Sequence, residues 1–220
     1  MNARTFLDRL ALVLIAITLA ASVVIARVSP EYFRTVFAAE DRLVENATAI
    51  FLLVAALVLL WRAARFIGRG ARLAAGLTLV YAMLFVFAAG EEISWGQRIF
   101  GWGTPDFFAR NNYQNEISLH NLTVGGHRLA RTLFGSVLTA VLLLYLVVLP
   151  LLYPRVAAIA RLADRLAVPV PRLHHGAIAI IASLVVAAID VRRNWEVYEL
   201  VFALLAVSIF LRPQRRGGGG

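Results

Sequence analysis

The chain contains no cysteine and no lysine. The first absence excludes a disulfide framework, a cysteine zinc site and a thiol nucleophile. The second makes arginine the carrier of all 22 strongly basic positions. Charge itself is scarce: 16% of the 220 residues are charged, against about 25% in an ordinary soluble domain. Period-two alternation is also missing, which argues against a membrane β-barrel. No convincing internal repeat is visible.

What is abundant is apolar surface. The sequence is 60% hydrophobic with a mean hydropathy of +0.76. A soluble domain of this length cannot hide that much, whereas lipid solvates it. Six apolar runs stand out: Leu10–Ala26, Asn46–Trp61, Leu73–Ala89, Thr132–Tyr153, His174–Ile189 and Val197–Leu211. Most approach the ~20 residues that cross a ~30 Å hydrocarbon core. The last two are short, and their helices are expected to extend into polar flanks. The first run, after Arg4 and Arg9, is longer than the usual 7–15 residues of a signal-peptide core, so it reads as a retained helix. The expected fold is an all-α, polytopic membrane helix bundle of about six transmembrane helices. A single domain spans 1–212, and a flexible cytoplasmic tail spans 213–220.

The net charge of +9 does not indicate nucleic acid, because the arginines flank apolar runs instead of forming a stripe with aromatics. Short arginine-rich loops remain cytoplasmic. Arg62, Arg65, Arg69 and Arg72 lie in one, Arg155 to Arg172 in another, and Arg212, Arg215 and Arg216 in the tail. Both termini are then cytoplasmic, and the stretches 27–45, 90–131 and 190–196 face out. Of the 13 acids, only Asp8 and Asp164 fall inside.

The outer acids include Gly90-Glu91-Glu92-Ile93-Ser94-Trp95-Gly96-Gln97-Arg98. Two carboxylates follow an uncharged run, at a helix C-terminal end where the dipole opposes them. They need a partner, and Arg98, Arg192 and Arg193 are available on the same side. If the helix continues, Glu91, Trp95 and Arg98 share a face, and Glu92 points about 100° away. Trp95 and Arg98 equally suit a headgroup belt. Thr104-Pro105-Asp106 suits a helix start, and Trp102, Phe107 and Phe108 would press a short interfacial helix into the membrane surface. The stretch 111–121 is dense in ligating side chains. His120 is its candidate proton carrier at neutral pH, and a hydrogen-bonded, structural His120 fits equally; a divalent metal on Glu91 and His120 is compatible with these residue types, although no tight metal-binding spacing is present. His127 reads as a solvent-facing turn residue, and His174 and His175 as a helix-start feature. Asp41, Glu45 and Glu196 fit the positive ends of helices; Glu199 lies deeper in its run.

The blocks Gly90–Arg98 and Asn112-x-Gln114-x-Glu116-x-Ser118-Leu119-His120-Asn121 resemble a bacterial family of polytopic inner-membrane proteins of unassigned function. That family carries Gly-Glu-Glu-x-Ser-Trp-Gly-Gln-Arg, then Asn-x-Gln-Gly-Glu-x-Asn-Leu-His-Asn. This chain has Asn115 in place of the glycine and Ser118 in place of the asparagine. The resemblance implies a multi-pass location in the bacterial inner membrane and no particular activity.

Two functions are open. In the first, Glu91, Glu92 and His120 act as acid, base or metal ligands on a lipid or lipid-linked substrate. Trp95, Gln97, Arg98, Gln114, Glu116, Asn121, Arg193 and Glu199 would bind that substrate, with the arginines on a phosphate or carboxylate. The reaction would be a hydrolysis or transfer. In the second, the same residues form an ion-paired lattice in a non-catalytic subunit or assembly factor that docks other membrane subunits. A transporter is disfavoured, because the span centres lack ionisable residues.

Overall fold

A computed structural model describes residues 2–119, 121–124, 127–128 and 137–214. Among the described residues its regular structure is helical apart from one short hairpin and one isolated bridge. Helix α1 runs Ala3–Val28, α2 Leu43–Ile67, α3 Arg72–Glu92 and α4 Asp106–Asn111. Strands β1 (Thr123–Val124) and β2 (His127–Arg128) pair antiparallel. Helix α5 is built from Leu138–Leu143, a π-turn Leu144–Val148 and Leu149–Leu152. Then follow α6 (Ala157–Arg165), α7 (Leu173–Ala187) and α8 (Asn194–Leu211).

Four of these, α1, α2, α3 and α8, are long and apolar enough to cross a membrane. The fourth and fifth apolar runs give shorter helices, Ala140–Leu152 and Leu173–Ala187. Pro150 lies at the start of Leu149–Leu152. It cannot donate to the carbonyl four residues back, which accounts for the π-turn before it. Helix α7 stops at Ala187 and does not reach into its polar flank, while α8 does, starting at Asn194.

Helix α8 is apolar all round, and such a helix belongs inside a bundle. It is buried from Ala203 through Phe210. Helices α1, α2 and α7 pack against it, and α3 lies along α2. The outward faces of α1 to α3 expose Val13, Ile17, Ile50, Leu57, Met83 and Leu84, a surface suited to lipid and not to water. The Ser22 and Thr78 hydroxyls, within α1 and α3, bond their own helix, as an apolar solvent requires. Ser22 donates to Thr18 O at 2.7 Å and Thr78 to Ala74 O at 2.7 Å.

The bundle has two polar ends. At one, Arg62 Nη1 donates to Phe210 O (3.1 Å), and Arg212 lies 3.2 Å from Asp8. Ser208 Oγ donates to Asp8 (2.5 Å) and meets His175 Nε2 (2.9 Å). The His175 Nδ1 accepts from Arg172 N–H at 3.0 Å. His175 is therefore a helix-start residue, as expected, and also a fully buried tie between α7 and α8. The other end gathers 38–46, 90–119, 121–124 and 190–196, as the span order requires.

Candidate functional site at the acidic end

Helix α3 does not continue past Glu92. Ser94, Trp95 and Gly96 have φ of 47°, 54° and 79°, so the chain turns left-handed for three residues. The shared helical face expected for Glu91, Trp95 and Arg98 is thereby lost. The turn nevertheless folds the indole back over Gly90, where a Cβ would stand 2.9 Å from Trp95 Cε3. Trp95 also meets the Phe87 ring edge-on at 5.6 Å. Its Nε1 donates to Glu91 Oε1 at 2.8 Å, and Leu119 N–H donates to Glu91 Oε2 at 2.6 Å. Glu91, which is buried, thus stands at a helix end where the dipole opposes it and accepts from these two N–H donors.

Arg98 serves a different set of acids. Its guanidinium bonds Glu116 and Asp41 directly and lies 3.8 Å from Glu40. Burial alone pulls its pKa down, but the Asp41 hydrogen bond and the charges of Glu116, Asp41 and Glu40 outweigh that and raise it above the usual arginine range. Glu116 is buried and also accepts from Ser94 Oγ at 2.8 Å. Arg193 bonds Glu40 at 2.7 Å and lies 3.7 Å from Glu196. Its pKa is likewise lowered by burial but raised overall by Glu40 and its acidic neighbours. The charges alternate in space: Glu116, Arg98, Asp41 with Glu40, Arg193, Glu196. One ionic chain therefore joins the 90–124 loop, the connection before α2 and the start of α8.

Amides complete the lattice. Gln97 Nε2 donates to Thr104 Oγ1 and its Oε1 accepts from Ile117 N–H, both at 2.7 Å. Gln114 Nε2 donates to Glu40 at 2.8 Å, and Asn121 Nδ2 donates to Gln114 Oε1. Thr104 does not cap α4, whose N-cap is Pro105; its hydroxyl donates instead to Asn115 O at 2.7 Å. The aromatic expectation for the loop is half met: Trp102 and Phe107 are exposed, with Ile99 and Phe100 beside them.

Of the expected site residues, Glu91, Trp95, Gln97, Arg98, Gln114, Glu116, Asn121 and Arg193 are brought into this lattice. Glu199 lies at the lattice edge, beside Glu92 and Glu196. His120 lies outside the described residues. Among the described residues no group of three or more His, Asp or Glu is placed to hold a metal ion.

Sequence reasoning missed Glu40, Asn112 and Ser118, and misread Asp41 as a helix-start acid. Asp41 has φ 57° and stands before α2; Glu45 reaches back to its N–H. Asn112 Nδ2 donates to Ser118 O at 2.9 Å. No sequence signal could have paired Arg98 with acids 57 and 58 positions away. Expected Arg192 is not part of α8, whose N-cap is Arg193 at φ 72°. No family model, curated protein or solved structure matches this chain.

Proposed function

We propose that this chain is a non-catalytic subunit or assembly factor of a larger complex in the bacterial inner membrane, with both termini cytoplasmic. One observation carries the reading. Every described side chain in the lattice that was expected to bind substrate already holds another part of the chain. Glu91, Gln97, Arg98, Gln114 and Glu116 each bridge segments distant in sequence. Such saturated networks rigidify a surface, which suits a platform that other membrane subunits dock on. Asn115, at φ 59°, supports the family resemblance, because glycine adopts that conformation most readily. The test is affinity purification of the full chain in mild detergent. A fixed-stoichiometry partner that dissociates on Arg98→Met is the expected result. A chain that purifies alone from native membranes at native expression sinks the reading.

A second reading is favoured by a group of carboxylates at the edge of the lattice. Glu92 and Glu199 lie together with Glu196 at the same end. These carboxylates, and His120 if it joins them, would supply acid, base or metal-ligand chemistry for hydrolysis or transfer on a lipid or lipid-linked substrate, with a divalent metal as the candidate cofactor. Stoichiometric metal in the purified protein, lost on His120→Ala, supports this reading over the first.

A further inference from the structure

A groove of ≈ 370 Å³ opens between α1 and α7 at the acidic end of the bundle. None of its lining belongs to the ionic lattice. Val23 and Ala26 form one wall and Val185 and Ala188 the other, so the interior is apolar. Arg27 and Asp190 also line it. Both are exposed, and both stand where an apolar helix ends. Neither is paired with the other or with another side chain among the described residues.

An apolar slot beside a span fills with lipid, because a bilayer interior has no water to offer. This volume lies near the lower end of the ~300–1,000 Å³ typical of ligand sites, which suits one acyl chain and not a whole lipid. The ends of the apolar helices are where phosphates and amines of headgroups begin. Two opposite charges at that level, held apart from one another, complement a headgroup that carries both signs. We infer that this groove binds one zwitterionic phospholipid, its acyl chain between α1 and α7, its phosphate on Arg27 and its primary ammonium on Asp190. The guanidinium offers a donor fork to phosphate oxygens, and the ammonium offers three donors to the carboxylate.

The test is native mass spectrometry of the full chain released from bilayers of equal parts phosphatidylethanolamine and phosphatidylglycerol. The expected result is one retained phosphatidylethanolamine, preferred roughly 2- to 5-fold over phosphatidylglycerol, as partly exposed ionic contacts allow. Asp190→Asn should abolish the preference while a lipid is still retained. Ala188→Trp, which fills the groove from an exposed position, should abolish retention itself. Equal retention of the two lipids by the wild type overturns the inference. So does a preference for phosphatidylglycerol, which would mean that Arg27 acts alone. Unchanged behaviour of either variant overturns it too. The result does not depend on whether the ionic lattice is catalytic or structural, since the groove shares no residue with it.

Discussion

A methyl group at position 90 has nowhere to go. The Cβ that alanine would add falls 2.9–3.0 Å from three atoms of the Trp95 ring, and the ring is pinned by its bond to Glu91 and by Phe87. Gly90→Ala should therefore cost about 1–3 kcal/mol, the usual range for overpacking. Thermal unfolding in detergent measures it, and a double-mutant cycle identifies the cause. In a Trp95→Ala background the same substitution should be nearly neutral, because the clashing partner is gone. An equal cost in both backgrounds would place the strain elsewhere. At this scale the sequence was partly readable. A carboxylate at a helix C-terminus announced that Glu91 needed donors. Which donors it found depended on a left-handed turn at Ser94 and Trp95, and neither residue type signals positive φ.

The elements on either side of that turn are held by one guanidinium. Arg98 touches acids from two other segments, so removing it frees the 97–119 loop from α2 and leaves the buried Glu116 without its charge partner. Arg98→Met should cost less than the ~3–5 kcal/mol of breaking a fully buried pair, because a third of the side chain meets water. Limited proteolysis should show the loop cut faster than in the wild type. Arg98→Lys should rescue only in part, since a point-like ammonium cannot bridge carboxylates on different segments as a planar fork does. Full rescue by lysine would reduce the role of Arg98 to simple charge. A second element contact depends on Gly176 in α7, where a Cβ would stand 2.6 Å from Leu146 O. That carbonyl lies in the π-turn before Pro150, and small residues let helices approach this closely in lipid. Gly176→Ala should push α5 from α7 and lower the thermal midpoint, by the equivalent of about 1–3 kcal/mol; an unchanged midpoint would mean that the contact relaxes freely. Long apolar runs made α1 to α3 and α8 legible in the sequence. The stop of α7 at Ala187 and the π-turn in α5 were not, since both depend on packing and on one proline.

For the whole molecule, the two polar ends differ in how their charges are used. At the acidic end the arginines are largely neutralised in place: Arg34 by Glu31 at 2.6 Å, Arg98 and Arg193 by the lattice. The opposite end carries Arg62, Arg65, Arg69 and Arg72 around one connection and Arg155, Arg161, Arg165 and Arg172 around another, with Asp164 as the sole acid of those two stretches. An excess of arginine in short loops keeps an end cytoplasmic, whereas acids contribute little to that choice. The acidic lattice and the lipid groove should then face away from the cytoplasm. The absence of cysteine makes this directly measurable, because any introduced thiol is the only one present. Gly68 and Gly103 are exposed and have room for a side chain, and they lie at opposite ends of the bundle. In intact cells, Gly103→Cys should react with a membrane-impermeant maleimide and Gly68→Cys should react only after the membrane is opened. The reverse pattern would invert the orientation and place the lattice in the cytoplasm, where the arginine bias could not have put it. Labelling of both sites in intact cells would show that the four long helices do not all cross.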